Sequence, residues 1–135
     1  MMRPAALLII IAASSACAAS AATEPRTAKA ETRLSRELAG KVAGTPVSCL
    51  PSFRSQDMVV IDDNTILFRN GSTVYRNDPP GGCSPLGRGN YTLVTKTSGS
   101  SLCRGDIGSV VDLTARFTAG SCVFGDFIPY RAASR

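Results

Sequence analysis

The sequence predicts a mainly β chain: a small antiparallel sandwich or barrel of about seven short strands, held by two disulfides and preceded by a signal peptide and a short helix. Three observations carry this expectation. Short apolar runs, some alternating with polar residues, are separated by clusters of Asn, Asp, Gly and Pro. Four cysteines, Cys49, Cys83, Cys103 and Cys122, lie in that same stretch. Helical periodicity is confined to one segment near residue 34.

Residues 1–3 carry one positive charge, residues 5–13 form an apolar core of 9 residues, and small residues run from 14 to 22. That is the layout of a secretory signal. The core is far short of the roughly 20 residues that a spanning helix needs. Two cleavage readings compete. Ser14-Ser15-Ala16-Cys17 is a permissive lipobox, with Ser14 where Leu is usual, and would leave Cys17 as an acylated N-terminus after loss of residues 1–16. Ala16-Cys17-Ala18 or Ala19-Ser20-Ala21 offers an ordinary cleavage site, with residues 1–22 lost and Cys17 discarded. The lipoprotein reading is preferred because Cys17 directly follows Ala16 at the end of the apolar run.

Residues 23–46 are expected to form a tether that includes a short helix at 28–39, its apolar stripe made by Leu34, Leu38 and Val42. Gly40, Gly44 and Pro46 would end it. The disulfide-stapled β-domain is placed at 47–135. Its expected strands are 58–61, 65–69, 72–76, 91–97, 107–113, 115–118 and 122–128. Asp62-Asp63-Asn64 separates the first two. Asn70-Gly71 is the strongest hairpin signal, because Asn and Gly accept the positive φ angles of a type I′ turn. Pro79, Pro80, Gly81 and Gly82 mark a loop that cannot join a ladder.

Both cleavage readings remove Cys17 from the pairing problem and leave an even number of cysteines for an oxidising compartment. A zinc site is disfavoured, since no C-x-x-C pair occurs and histidine is absent. Four cysteines allow three connectivities, among which sequence alone does not choose. The pairing expected is Cys49 with Cys122 and Cys83 with Cys103. It would tie the domain's start to its end and close one local excursion. On the chain-entropy account each bridge contributes about 3–4.5 kcal/mol.

The absence of histidine excludes Ser-His-Asp and Cys-His catalysis within the chain. Asp62, Asp63, Asp78, Asp106, Asp112 and Asp126 remain as acid–base candidates. Several occupy turn positions, where Asp caps the backbone for structural reasons, so no catalytic residue is assigned. Asp62-Asp63-Asn64 lacks the spacing of a calcium loop. Gly81-Gly82 and Gly87-Arg88-Gly89 lack the strand-to-helix context of a phosphate cradle. Arg104-Gly105-Asp106 reads as a tight turn, and Tyr75, Tyr91, Phe124, Phe127 and Tyr130 as an aromatic core. No metal and no cofactor are expected.

Beyond Ala22 the chain carries 14 basic and 10 acidic residues, spread along its length. A nucleic-acid binder concentrates its cations in one run or on one face, so a solvated surface with mild attraction to anionic envelope components is expected instead.

Residues 38–49 (Leu-Ala-Gly-Lys-Val-Ala-Gly-Thr-Pro-Val-Ser-Cys), 61–68, 75–83 (Tyr-Arg-Asn-Asp-Pro-Pro-Gly-Gly-Cys), 102–106 and 120–129 (Gly-Ser-Cys-Val-Phe-Gly-Asp-Phe-Ile-Pro) together resemble a family of small uncharacterised proteobacterial envelope proteins of the sphingomonad type. The most specific part of the resemblance is the four cysteines with their neighbours. Residues 84–87 depart from it, since Pro-Gly-Leu is expected after Cys83. The resemblance implies an envelope location and a four-cysteine domain, and it brings no activity. The role expected is therefore a non-enzymatic binding or structural module of the periplasm or outer membrane. Its partner would be an envelope protein or polymer, and its membrane link a lipid on Cys17. The alternatives are an inhibitor presenting the loop 79–88, or a carboxylate-dependent cell-wall hydrolase using Asp106 and Asp126.

Overall fold

The computed structural model describes residues 25–51, 57–97 and 99–134. The leader, Cys17 and residues 23–24 lie outside the described residues.

The first element is a helix, α1 (Ala28–Glu37), opened by Thr27, whose hydroxyl accepts the amide hydrogen of Ala30 at 3.3 Å. Ala30 and Leu34 are buried along one side and Leu38 packs partly beside them. Gly40, at φ +69°, turns the chain out of the helix. Val42, expected on the same stripe, lies beyond this break in strand β1 (Lys41–Ala43) and is 55% exposed.

Ten strands are present among the described residues, where about seven are expected from sequence. After β1 come β2 (Cys49–Leu50), β3 (Met58–Asp62), β4 (Thr65–Asn70), β5 (Thr73–Asn77) and β6 (Tyr91–Thr95). Then follow β7 (Leu102–Cys103), β8 (Ile107–Asp112), β9 (Thr118–Val123) and β10 (Phe127–Ala132). All pairings are antiparallel, in a five-stranded sheet β1-β10-β5-β4-β3, a three-stranded sheet β6-β8-β9 and a small β2-β7 ladder. The sheets remain open and form no closed barrel.

The five-stranded sheet is apolar on both faces, and period-2 geometry assigns each residue to its side. Val59, Ile61, Leu67 and Val74 pack against Ala30 and Leu34 of α1. Ile66, Phe68, Tyr75 and Phe127 face the opposite way, towards Leu93 and Val110 of the three-stranded sheet and Leu50 and Leu102 of the small ladder. The result is three layers: helix, large sheet, small sheets. At the centre, Phe68, Phe124 and Phe127 stand with ring centroids 5.8–6.2 Å apart. Burial of each such side chain contributes about 1.5–3 kcal/mol. Of the aromatic residues read as core, Tyr75, Phe124 and Phe127 are buried here, whereas Tyr91 and Tyr130 are only partly covered.

The expected pairing of cysteines is corrected. Cys49 is bonded to Cys103 and Cys83 to Cys122, with Cα separations of 3.9 and 4.9 Å. Register explains the first, because Cys49 and Cys103 stand directly opposite one another in the β2-β7 ladder. Cys122, on the inner face of β9, joins Cys83 inside the main core.

Three turns also differ from expectation. The β4-β5 turn consists of Gly71 and Ser72, since Asn70 pairs with Thr73. Gly71 takes the only positive φ there, +60°, as in a II′ turn rather than the I′ turn expected. The Asn70 amide instead donates to the Pro51 carbonyl at 2.8 Å. Residues 115–117, expected to be strand, form a turn fixed by Asp112, whose Oδ1 accepts from the amides of Thr114 and Ala115 at 2.8 Å each. The expected strand 122–128 is two strands, broken at residues 124–126.

Candidate functional site

Arg26 enters the fold just before α1 and is held on three sides. Its Nε donates to Asp62 Oδ2 at 2.6 Å, its Nη1 to Glu31 Oε2 at 3.3 Å and its Nη2 to Thr65 Oγ1 at 2.5 Å. Burial disfavours the guanidinium charge, but the hydrogen bonds and negative charges of Asp62 and Glu31 more than offset it, so its pKa stands above the ordinary value. Thr65 is fully buried and donates in turn to Asp78 Oδ1 at 2.7 Å. Asp78 also pairs with Arg76 Nε at 2.9 Å. This chain of groups fastens the entrance of the helix to the middle of the sheet.

Beside it lies an open groove of about 440 Å³. One wall is the N-terminal half of α1, with Lys29 and Arg33. The other is made by the β3-β4 turn and a single 3₁₀ turn, Leu86–Arg88. The two turns are clasped together by Asp63. Its carbonyl accepts from the Cys83 amide and its Oδ1 from the Gly87 amide, both at 2.6 Å. A Cβ on Gly87 would lie 2.8 Å from the Asp63 nitrogen, so only glycine allows this approach. Leu86 is buried beneath the turn, and Arg88 is left exposed at the groove's mouth.

Lys29, Arg33 and Arg36 recur every three or four residues and so share one stripe of α1. Arg33 and Lys29 also border a second shallow groove, of about 410 Å³, together with Arg36. Both acids of the helix are held in ion pairs. Glu31 is paired with Arg26, and Glu37 with Arg69. Asp62 and Asp63 of the facing wall are also engaged, as described. Among the described residues the side chains of Lys29, Arg33, Arg36 and Arg88 make no ion pair or hydrogen bond. The arrangement is a pre-set cationic surface suited to hold an anion.

The sequence candidates are dispersed. Asp106 Oδ2 accepts from the Cys103 amide at 2.7 Å, closing the Arg104-Gly105-Asp106 turn with Gly105 at φ +90°. Asp126 pairs with Arg104 at 3.3 Å, Asp112 caps its turn, and Asp62, Asp63 and Asp78 are bound up around Arg26 and Gly87. Among the described residues no three His, Cys, Asp or Glu side chains are grouped to hold a metal. Cys49, Cys83, Cys103 and Cys122 all serve in disulfides. The loop 79–88, suspected as a presented loop, has Pro79, Cys83 and Leu86 buried and Pro80, Gly81, Ser84, Gly87 and Arg88 exposed.

The basic groove was not singled out by sequence reasoning. The spacing of Lys29, Arg33 and Arg36 within the expected helix is its one visible signal. Arg88, separated from them by more than fifty residues, joins only through the fold. Comparison with known proteins gives no match to any family, to any curated protein or to any solved structure.

Proposed function

We propose that this chain is an exported envelope protein, a non-enzymatic module that binds an anionic envelope component through the groove between α1 and the Leu86–Arg88 turn. The observation that carries the reading is the convergence of Lys29, Arg33 and Arg88 on one groove, with every neighbouring carboxylate already engaged. The two disulfides support folding in an oxidising compartment, and no helix among the described residues is long and apolar enough to cross a membrane. A periplasmic or outer-membrane location, with Cys17 acylated, accords with the layout of residues 1–22 and with the resemblance to small proteobacterial envelope proteins. Stable retention by such a multiply acylated cysteine needs no spanning helix.

The test is a calorimetric titration of the protein with soluble polyphosphate, repeated with Lys29, Arg33, Arg36 and Arg88 all changed to Gln. Saturable, salt-sensitive binding that disappears in the variant is expected, and its absence from the parent overturns the reading. Export by the lipoprotein route is checked separately by labelled palmitate incorporation and globomycin-sensitive processing. A lipid-free soluble form would exclude the Cys17 anchor.

A further inference from the structure

We infer that the anion met by this groove is a membrane surface: the phosphate headgroups of an anionic phospholipid leaflet. The inference rests on the anion-binding and anchoring readings above and names their target. Lys29 and Arg33 border both open grooves, Arg36 borders the second, and Arg88 stands on the facing wall of the first. Separated, exposed cations of this kind match an array of singly charged headgroups spread over a plane. Arg supplies a planar donor fork for each phosphate, and Lys a point charge.

The place where the preceding chain enters this surface supplies the second argument. Pro25, the first described residue, itself lines the groove. It stands eight residues beyond Cys17, a span of at most about 29 Å when fully extended. An acyl anchor on Cys17 would hold this groove within that distance of the bilayer. Holding it there turns headgroup binding into a tethered, effectively intramolecular event.

Electrostatic attraction to an anionic leaflet weakens with each cation removed and with added salt. The experiment uses the processed chain, residues 17–135, with Cys17→Ser, so that neither the apolar leader nor an acyl group contributes. Vesicles of phosphatidylcholine containing 30 mol% phosphatidylglycerol, or none, are sedimented with it. Binding to the anionic vesicles alone is expected, with each of Lys29→Gln, Arg33→Gln, Arg36→Gln and Arg88→Gln weakening it about fivefold. Lys96→Gln, an exposed cation that does not line the groove, is expected to leave binding unchanged. Vesicle binding that survives all four substitutions overturns the inference. Groove-dependent polyphosphate binding without vesicle binding also overturns it, while leaving the anion-binding reading in place. Binding to neither overturns both.

Discussion

Arg26 and Thr65, thirty-nine positions apart, meet through a single hydrogen bond from Nη2 to a hydroxyl that solvent does not reach. Thr65 hands its own proton to Asp78, so one buried threonine links an arginine before the helix to an ion pair at the end of β5. Arg26 thus ties the start of α1 to the sheet, beside the packing of Ala30 and Leu34.

Replacing Arg26 with Ala removes one partner each from the half-buried Asp62 and the fully buried Thr65. A loss of about 1–3 kcal/mol is expected. Arg69→Ala, which breaks the pair with Glu37 from a half-exposed position, is expected to cost under about 1 kcal/mol. Urea midpoints at unchanged slope measure both, and equal losses would contradict the ranking.

Asn77 is fully buried, and its amide group makes three hydrogen bonds to the backbone of Gly125 and Asp126, at 2.8, 3.2 and 3.2 Å. Asn77→Ala strands these backbone groups. A loss of about 2–4 kcal/mol is expected, with faster amide exchange at Gly125 as its local signature.

The two disulfides differ in access. Cys83 and Cys122 are buried, whereas Cys49 is exposed and Cys103 half-exposed. Limited reduction followed by alkylation and mass mapping is expected to label Cys49 and Cys103 first. Loop closures of 54 and 39 residues imply similar entropic contributions, about 4 kcal/mol each. The Cys83→Ala/Cys122→Ala double variant should therefore lose more than Cys49→Ala/Cys103→Ala, because it also hollows the core.

Gly87→Ala and Gly71→Ala separate two roles of glycine. At Gly71 no atom lies within 4 Å of a would-be Cβ, so the cost is conformational, about 1 kcal/mol, with anion binding unchanged. At Gly87 the Cβ collides with the β3-β4 backbone, and the Asp63 clasp must open. Polyphosphate affinity is expected to fall in Gly87→Ala alone, through displacement of Arg88.

The sequence reads well where neighbours along the chain make the structure. The meander β3-β4-β5 shows its apolar runs, its Asp62-Asp63-Asn64 turn and nearly its ends, and α1 shows its stripe at Leu34 and Leu38. Elements made by distant partners leave no local trace. β1, β2 and β7 are two or three residues long and exist only because β10, or one another, lies alongside. The break at Phe124 arises because its amide bonds to the Asp106 carbonyl and that of Gly125 to the Asn77 side chain. The disulfide pairing likewise follows from register across β2 and β7. The cationic groove falls between these cases, with Lys29 and Arg33 on one helix face and Arg88 brought in by a glycine contact.

The position of β10 in the large sheet has a consequence for biogenesis. It lies between β1 and β5, so residues 41–43 have no strand to join until residues 127–132 arrive. Cys83 must wait in the same way for Cys122. The large sheet therefore cannot be completed, nor the Cys83–Cys122 bond closed, until the last tenth of the chain is available. Late insertion of that strand keeps the polypeptide pliable through most of its synthesis, because its locking contacts are far apart in sequence.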